Sequence, residues 1–236
     1  MKKIKVIGGF VVVLSLIMGI ILLKNKKDYS YYLVMGDYVS NNQTFDSKEV
    51  NSFTSLLSNY FLENGHVSEV NKGYLKNNMN SKTLLEMIEK DSYKIDNSSL
   101  VKLIKKSKYI TITLGINDVI NQIKYDSNNN KLIYDKEIVE NKIDIFKHNY
   151  HQILEEIKNL NNDAKVLLVG CYNIYGDEEL STRLNNAIKE VSLNNGYYVD
   201  VSDLDRYVYQ SNELYLTNIG QEEIYNRVLE CINEIE

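Results

Sequence analysis

Five short apolar runs alternate with amphipathic stretches beyond residue 30, and this alternation restricts the fold more than any other feature of the sequence. The runs are Tyr31 to Met35, the weaker His66 to Val70, Tyr109 to Leu114, Lys165 to Gly170 and Tyr197 to Val201. Each has the length and the β-branched or aromatic content of a strand. Between them lie segments of helical periodicity: Ser47 to Glu63, Lys82 to Glu89, Ser99 to Lys106, Lys136 to Asn159, Glu178 to Asn194 and, last, Asn218 to Ile235. In the first of these Val50, Phe53, Leu56, Leu57 and Tyr60 share one face. Asp126 to Lys131 reads as a loop. Strands alternating with helices predict an α/β fold: a five-stranded parallel sheet with helices on both faces, a flavodoxin-like three-layer sandwich. No internal repeat and no second domain is visible.

Ahead of this domain, Val6 to Leu23 form an apolar run of 18 residues. At about 1.5 Å per residue it can just cross a bilayer as a helix. A cleaved signal peptide is the alternative, but no A-x-A-like site follows, and Lys24 to Asp28 is a poor cleavage region. No Cys follows the run to carry a lipid. With the amine counted, the N-terminal flank (Lys2, Lys3, Lys5) is more positive than the C-terminal one (Lys24, Lys26, Lys27), which favours the N-terminus inside. The expectation is a single-pass cell-membrane protein: residues 1–27 anchor and flanks, residues 28–236 an extracytoplasmic domain, with residues 24–29 as a short polar linker.

Residues 28–236 hold all 32 acidic residues and 21 of the 27 basic ones, a net charge of −11. That sign excludes a nucleic-acid-binding surface and makes the domain a poor partner for anionic headgroups. The chain has 19 Tyr, no Pro and no Trp, a bias that fits an AT-rich coding sequence or, alternatively, a Tyr-rich binding face. Cys171 and Cys231 read as two thiols behaving as small hydrophobes, with a disulfide as the alternative.

The chemistry-bearing residues cluster at strand ends. Gly36-Asp37-Tyr38 follows the first run, Gly115-Ile116-Asn117-Asp118 the third, and Gly170 the fourth. In a doubly wound sheet these carboxyl ends form one rim, where ligands bind. A further segment, Asn212 to Gly220 (NELYLTNIG), precedes the last helix. In order and spacing these blocks resemble those of the SGNH (GDSL) hydrolases, which read GDS, a lone Gly, GxND and DxxH. The resemblance covers most of residues 30–236, and the GxND block is the best kept.

The resemblance implies a Ser nucleophile, a His base oriented by an acid, and an oxyanion hole made by backbone N–H groups and an Asn amide. Here Tyr38 stands at the nucleophile position, Asn78 (or Gly73) at the lone Gly, Asn117 at the Asn, Glu213 at or near the acid, and Tyr215 at the His. The Pro that often follows that His is Leu216. Asn at position 78 tolerates the positive φ a Gly would serve. Ser40 is the nearest hydroxyl of the right kind, and a turn or N-cap role is its simpler reading. Asn117 reads equally as an oxyanion donor or a helix N-cap. His66 stands at the start of the weak second strand, while His148 and His151 share a helix face without an evident third ligand, so no metal and no cofactor is expected.

The sequence therefore predicts an SGNH-like domain without its ordinary chemistry. The lead expectation is a membrane-anchored pseudoenzyme binding an envelope glycan or a protein through a rim pocket of Gly36, Asp37, Tyr38, Ser40, Asn78, Gly115, Asn117 and Tyr215. The alternatives are an active esterase, acylhydrolase or glycan O-deacetylase with a rewired site, and a purely structural domain.

Overall fold

A computed structural model describes residues 30–41, 51–95, 97–126, 128–129, 131–173, 177–209 and 212–236. Its frame is five parallel strands: β1 (Tyr31–Gly36), β2 (Glu69–Leu75), β3 (Ser107–Thr113), β4 (Lys165–Val169) and β5 (Tyr197–Val199). They lie in the order β2-β1-β3-β4-β5, the doubly wound order in which the sheet reverses direction between β1 and β3. The inner strands are apolar on both faces because both faces are covered: Tyr32 to Met35, Tyr109, Ile110, Ile112 and Val166 to Val169 are all buried. Thr111, a polar residue in this core, is satisfied by the Tyr32 hydroxyl at 2.9 Å.

The helices are α1 (Phe53–Glu63), α2 (Ser81–Lys90), α3 (Leu100–Lys106), α4 (Ile116–Val119), α5 (Lys136–Leu160), α6 (Glu178–Asn195) and α7 (Asn218–Ile235). Side chains fix most of their starts: Ser52, Asn80, Ser99, Asp135, Asp177 and Thr217 each accept from a first-turn N–H. α1 packs with α7, and α2, α5 and α6 pack as a second group. Together the two groups supply the two outer layers of the sandwich.

The second strand departs from expectation. It runs Glu69–Leu75, not His66 to Val70, and His66 instead stacks on Tyr60, ring centroids 5.4 Å apart. β2 is an edge strand, so it needs no continuous apolar run and carries Asn71, Lys72 and Gly73. α1 begins at Phe53 behind Ser52; Ser47 to Val50 of the expected helix lie outside the described residues. The expected loop Asp126 to Lys131 is the tip of a hairpin, Lys124–Asp126 paired with Lys131–Ile133. β5 stops at Val199, two residues early. Two further short pairings went unforeseen, Lys94–Ile95 with Ser98–Ser99 and Val208–Tyr209 with Asn212–Leu216. Among the described residues no helix is long and apolar enough to cross a membrane; Val6 to Leu23 lie outside them.

Candidate functional site

β1 and β3 end side by side, with Gly36 opposite Thr113. Gly36 has φ +127°, and a Cβ there would sit 2.2 Å from the Thr113 carbonyl oxygen, so both conformation and space demand glycine. The turn that follows is tied to β3. The Asp37 N–H donates to the Thr113 carbonyl (3.0 Å) and to its Oγ1 (3.1 Å). Asp37 Oδ1 accepts from the Val39 N–H at 3.1 Å. The Asp37 side chain is buried, and burial pushes its carboxyl up to about 7; the Val39 N–H and the Thr113 hydroxyl pull it back in part, while nearby Asp118 adds to the rise.

Tyr38 points inward and is only 8 % exposed, so its ring occupies the nucleophile seat. Its ring meets Tyr215 edge to face, centroids 5.6 Å apart. The two positions that the resemblance assigns to nucleophile and base are thus in contact, each holding a phenol. The Tyr38 hydroxyl is buried near Tyr172 without a partner of good hydrogen-bond geometry. Burial above all holds this phenol protonated, well above its ordinary range, which disarms it as a nucleophile near neutral pH.

Ser40 is a turn serine, not a helix cap. It is 1 % exposed, its Oγ lies 2.9 Å from Thr113 Oγ1, and its carbonyl accepts from the Thr54 hydroxyl. Its hydroxyl is therefore committed to the turn.

Just past β3, Gly115 has φ +138° and occupies the N-cap position of α4, the role suggested for Asn117. A Cβ at Gly115 would meet Cys171 Sγ at 3.2 Å. Asn117 lies inside α4 and turns its amide toward the loop before α2. Asn117 Nδ2 donates to the carbonyls of Asn77 and Met79, both at 2.9 Å. Both amide hydrogens are used in this way, leaving none for an oxyanion. Asn78 is exposed in that loop and is not in the positive-φ region, so the glycine-like conformation expected of it is not adopted. Gly73 lies within β2, its missing Cβ making room for Ile95. Glu213 belongs to the short strand Asn212–Leu216, two residues before Tyr215.

Several groups at the rim escaped sequence reasoning. Asp118 accepts from the Ser81 N–H with both oxygens (3.1 and 3.2 Å) and from the Ser81 hydroxyl, which also accepts from Asn149 Nδ2 at 3.1 Å. These bonds tie α4, α2 and α5 together. Burial raises the Asp118 carboxyl to about 6 against the pull of Ser81. Cys171 and Tyr172, just past β4, and Tyr150 of α5 are buried, and burial raises all three. The Tyr150 hydroxyl and Asn173 Oδ1 are buried without hydrogen-bond partners. The available signal was weak: Cys171-Tyr172 directly follows Gly170, a strand end already marked as rim. Beside Cys171 and Tyr172 lies a cavity of about 10 Å³, room for one water and no more.

Neither of the other expectations for titratable residues places them at this rim. His148 and His151 line a groove of about 470 Å³ between α5 and α6, beside the Lys147–Glu190 ion pair. Among the described residues no three His, Cys, Asp or Glu side chains converge as metal ligands. Cys171 and Cys231 are both free; Cys171 is buried and Cys231 half-buried.

No family model matches the chain, and no curated protein matches its sequence. Solved structures do. The lipase Lip_vut3 from a goat rumen metagenome superposes with a TM-score of 0.63 at 18% identity, over 86% of this chain and 97% of that one. A GDSL-like lipase from Parabacteroides merdae gives 0.61 at 12% identity, over 89% and 98%. The acetylxylan esterase Axe2 from Geobacillus stearothermophilus gives 0.59 at 15% identity, over 87% and 96%. At these identities the likeness is one of fold: the described residues have the SGNH (GDSL) hydrolase fold.

Proposed function

We propose that this SGNH-fold domain is a membrane-anchored, extracytoplasmic pseudoenzyme that binds an envelope glycan or a protein partner across its rim. The observation that carries the reading is the Tyr38–Tyr215 contact, which puts two phenols where the fold's chemistry needs a nucleophile and a base. The spent amide of Asn117 supports it, because an oxyanion would find no side-chain donor there. The filled seat also bears on the mode of binding: a ligand lies over the rim, not within a deep cavity. It equally favours the second reading, a domain with a purely structural role. A rewired esterase or deacetylase finds less support, since Ser40 is buried and its hydroxyl is bound to Thr113.

The test is ester hydrolysis by the full chain in detergent, on a short-chain aryl ester and an acetylated glycan. The expected outcome is no turnover by the natural protein and measurable turnover by Tyr38→Ser/Tyr215→His. Turnover by the natural protein that disappears in Tyr38→Phe or Ser40→Ala would sink the proposal. Retention of the protein on envelope fractions separates a binding role from a structural one.

A further inference from the structure

The structure fixes where the chain enters the domain. Ser30 is held under the sheet by three backbone hydrogen bonds: its N–H donates to the Lys106 carbonyl (3.0 Å), and its own carbonyl accepts from the Ser68 and Glu69 N–H groups (2.8 and 3.0 Å). Lys106 ends α3 and Glu69 begins β2, so entry is at the end where the parallel strands start. From there β1 runs six residues, about 20 Å, up to Gly36 at the rim. The apolar run ends at Leu23, which leaves only residues 24–29 between it and Ser30. Fully extended, the chain from Leu23 to Ser30 reaches about 25 Å. To lay the rim on the bilayer it would have to pass around the sheet edge or a helix, about 10 Å, and then climb the length of β1, about 30 Å in all. The tether is too short.

We infer that the rim bearing Tyr38, Asn117 and Tyr215 is held facing away from the anchoring bilayer, so that its ligand is not a lipid of that membrane. This rests on the membrane-anchored reading above and adds to it a direction and an excluded ligand class. The surface turned toward lipid is the opposite end of the sheet. There the exposed Lys105, Lys106 and Lys158 stand among Glu69, Asp163 and Glu236, so charges of both signs face that way. Lys106 and Lys165 at this end also lie over the rings of Tyr31 and Tyr197, at 5.8 and 5.9 Å.

The experiment uses the full chain in phosphatidylethanolamine–phosphatidylglycerol vesicles carrying a nitroxide on the headgroup, which quenches a fluorophore only at short range. One label is placed at the rim (Asn78→Cys) and one at the opposite end (Asn162→Cys), both exposed, in a Cys231→Ser background where Cys171 stays buried. The expected result is loss of emission at position 162 beyond any loss at position 78. Equal quenching, or stronger quenching at 78, in a chain that floats with the vesicles overturns the inference and leaves anchoring intact. A chain that does not float with the vesicles overturns the anchored reading and the inference with it. Asn129→Cys and Lys105→Cys form a second pair of reporters should either of the first fail to fold.

Discussion

A carboxyl buried as Asp37 is makes stability depend on pH in a definite direction. Its value of about 7 lies above the ordinary 3.8, so the folded state holds a proton that the unfolded chain releases. The resulting stabilisation is fully present below about pH 4 and is lost as pH rises through 7. Asp118, raised to about 6, acts with the same sign. Melting temperature is expected to be higher at pH 5 than at pH 8, with Asp37 accounting for at most about 3 kcal/mol of the difference. In Asp37→Asn the difference between the two pH values should shrink; an unchanged difference would place the titration elsewhere. Tyr150 makes a second prediction. Its hydroxyl is buried without a partner, so Tyr150→Phe removes only an unsatisfied group. We expect a gain of about 1 kcal/mol in chemical denaturation, and a loss would reveal a bond made by that hydroxyl.

At the scale of elements, Asn117 joins two pieces of chain that no local pattern connects. Its two bonds to the carbonyls of Asn77 and Met79 hold the loop before α2 against α4. Asn117→Ala should cost about 2 kcal/mol. Hydrogen exchange should quicken at the start of α2 and not in β4, whereas uniform protection would show that the loop holds itself. The same residue marks the limit of what the sequence discloses. Gly115-Ile116-Asn117-Asp118 announces a strand end, and the strand end is there. What the Asn amide binds lies about 40 residues away and leaves no periodic trace. α7 has the expected bounds, Asn218–Ile235, because Thr217 caps a long amphipathic run. β2 was misplaced because an edge strand with Lys72 and Gly73 does not alternate. The small hairpins were missed because ladders of two or three residues are too short to show a period. Tyr38 and Tyr215 were legible as occupants of two family positions; that they touch required the fold.

For the molecule as a whole, the excess of 11 negative charges beyond Lys27 sets how salt acts. Exposed pairs such as Lys136–Glu179 and Lys90–Glu86 are weakened by salt but contribute little each. Screening of the general self-repulsion should prevail. Melting temperature at neutral pH is therefore expected to rise between low salt and physiological ionic strength. A fall would mean that the ion pairs outweigh the net charge.

Cys171 lies at the floor of the rim, packed beneath Gly115 and next to Tyr172, with burial keeping its thiol protonated. Only a solvated thiolate reacts with an alkylating reagent. Its alkylation rate in the native state is then a clock for excursions in which the β3–β4 end comes apart. Cys231, half-buried on α7, provides an internal standard that reacts first. A ligand that settles over the rim would slow Cys171 and leave Cys231 unchanged, so the chain carries its own assay for an occupant whose identity need not be known beforehand.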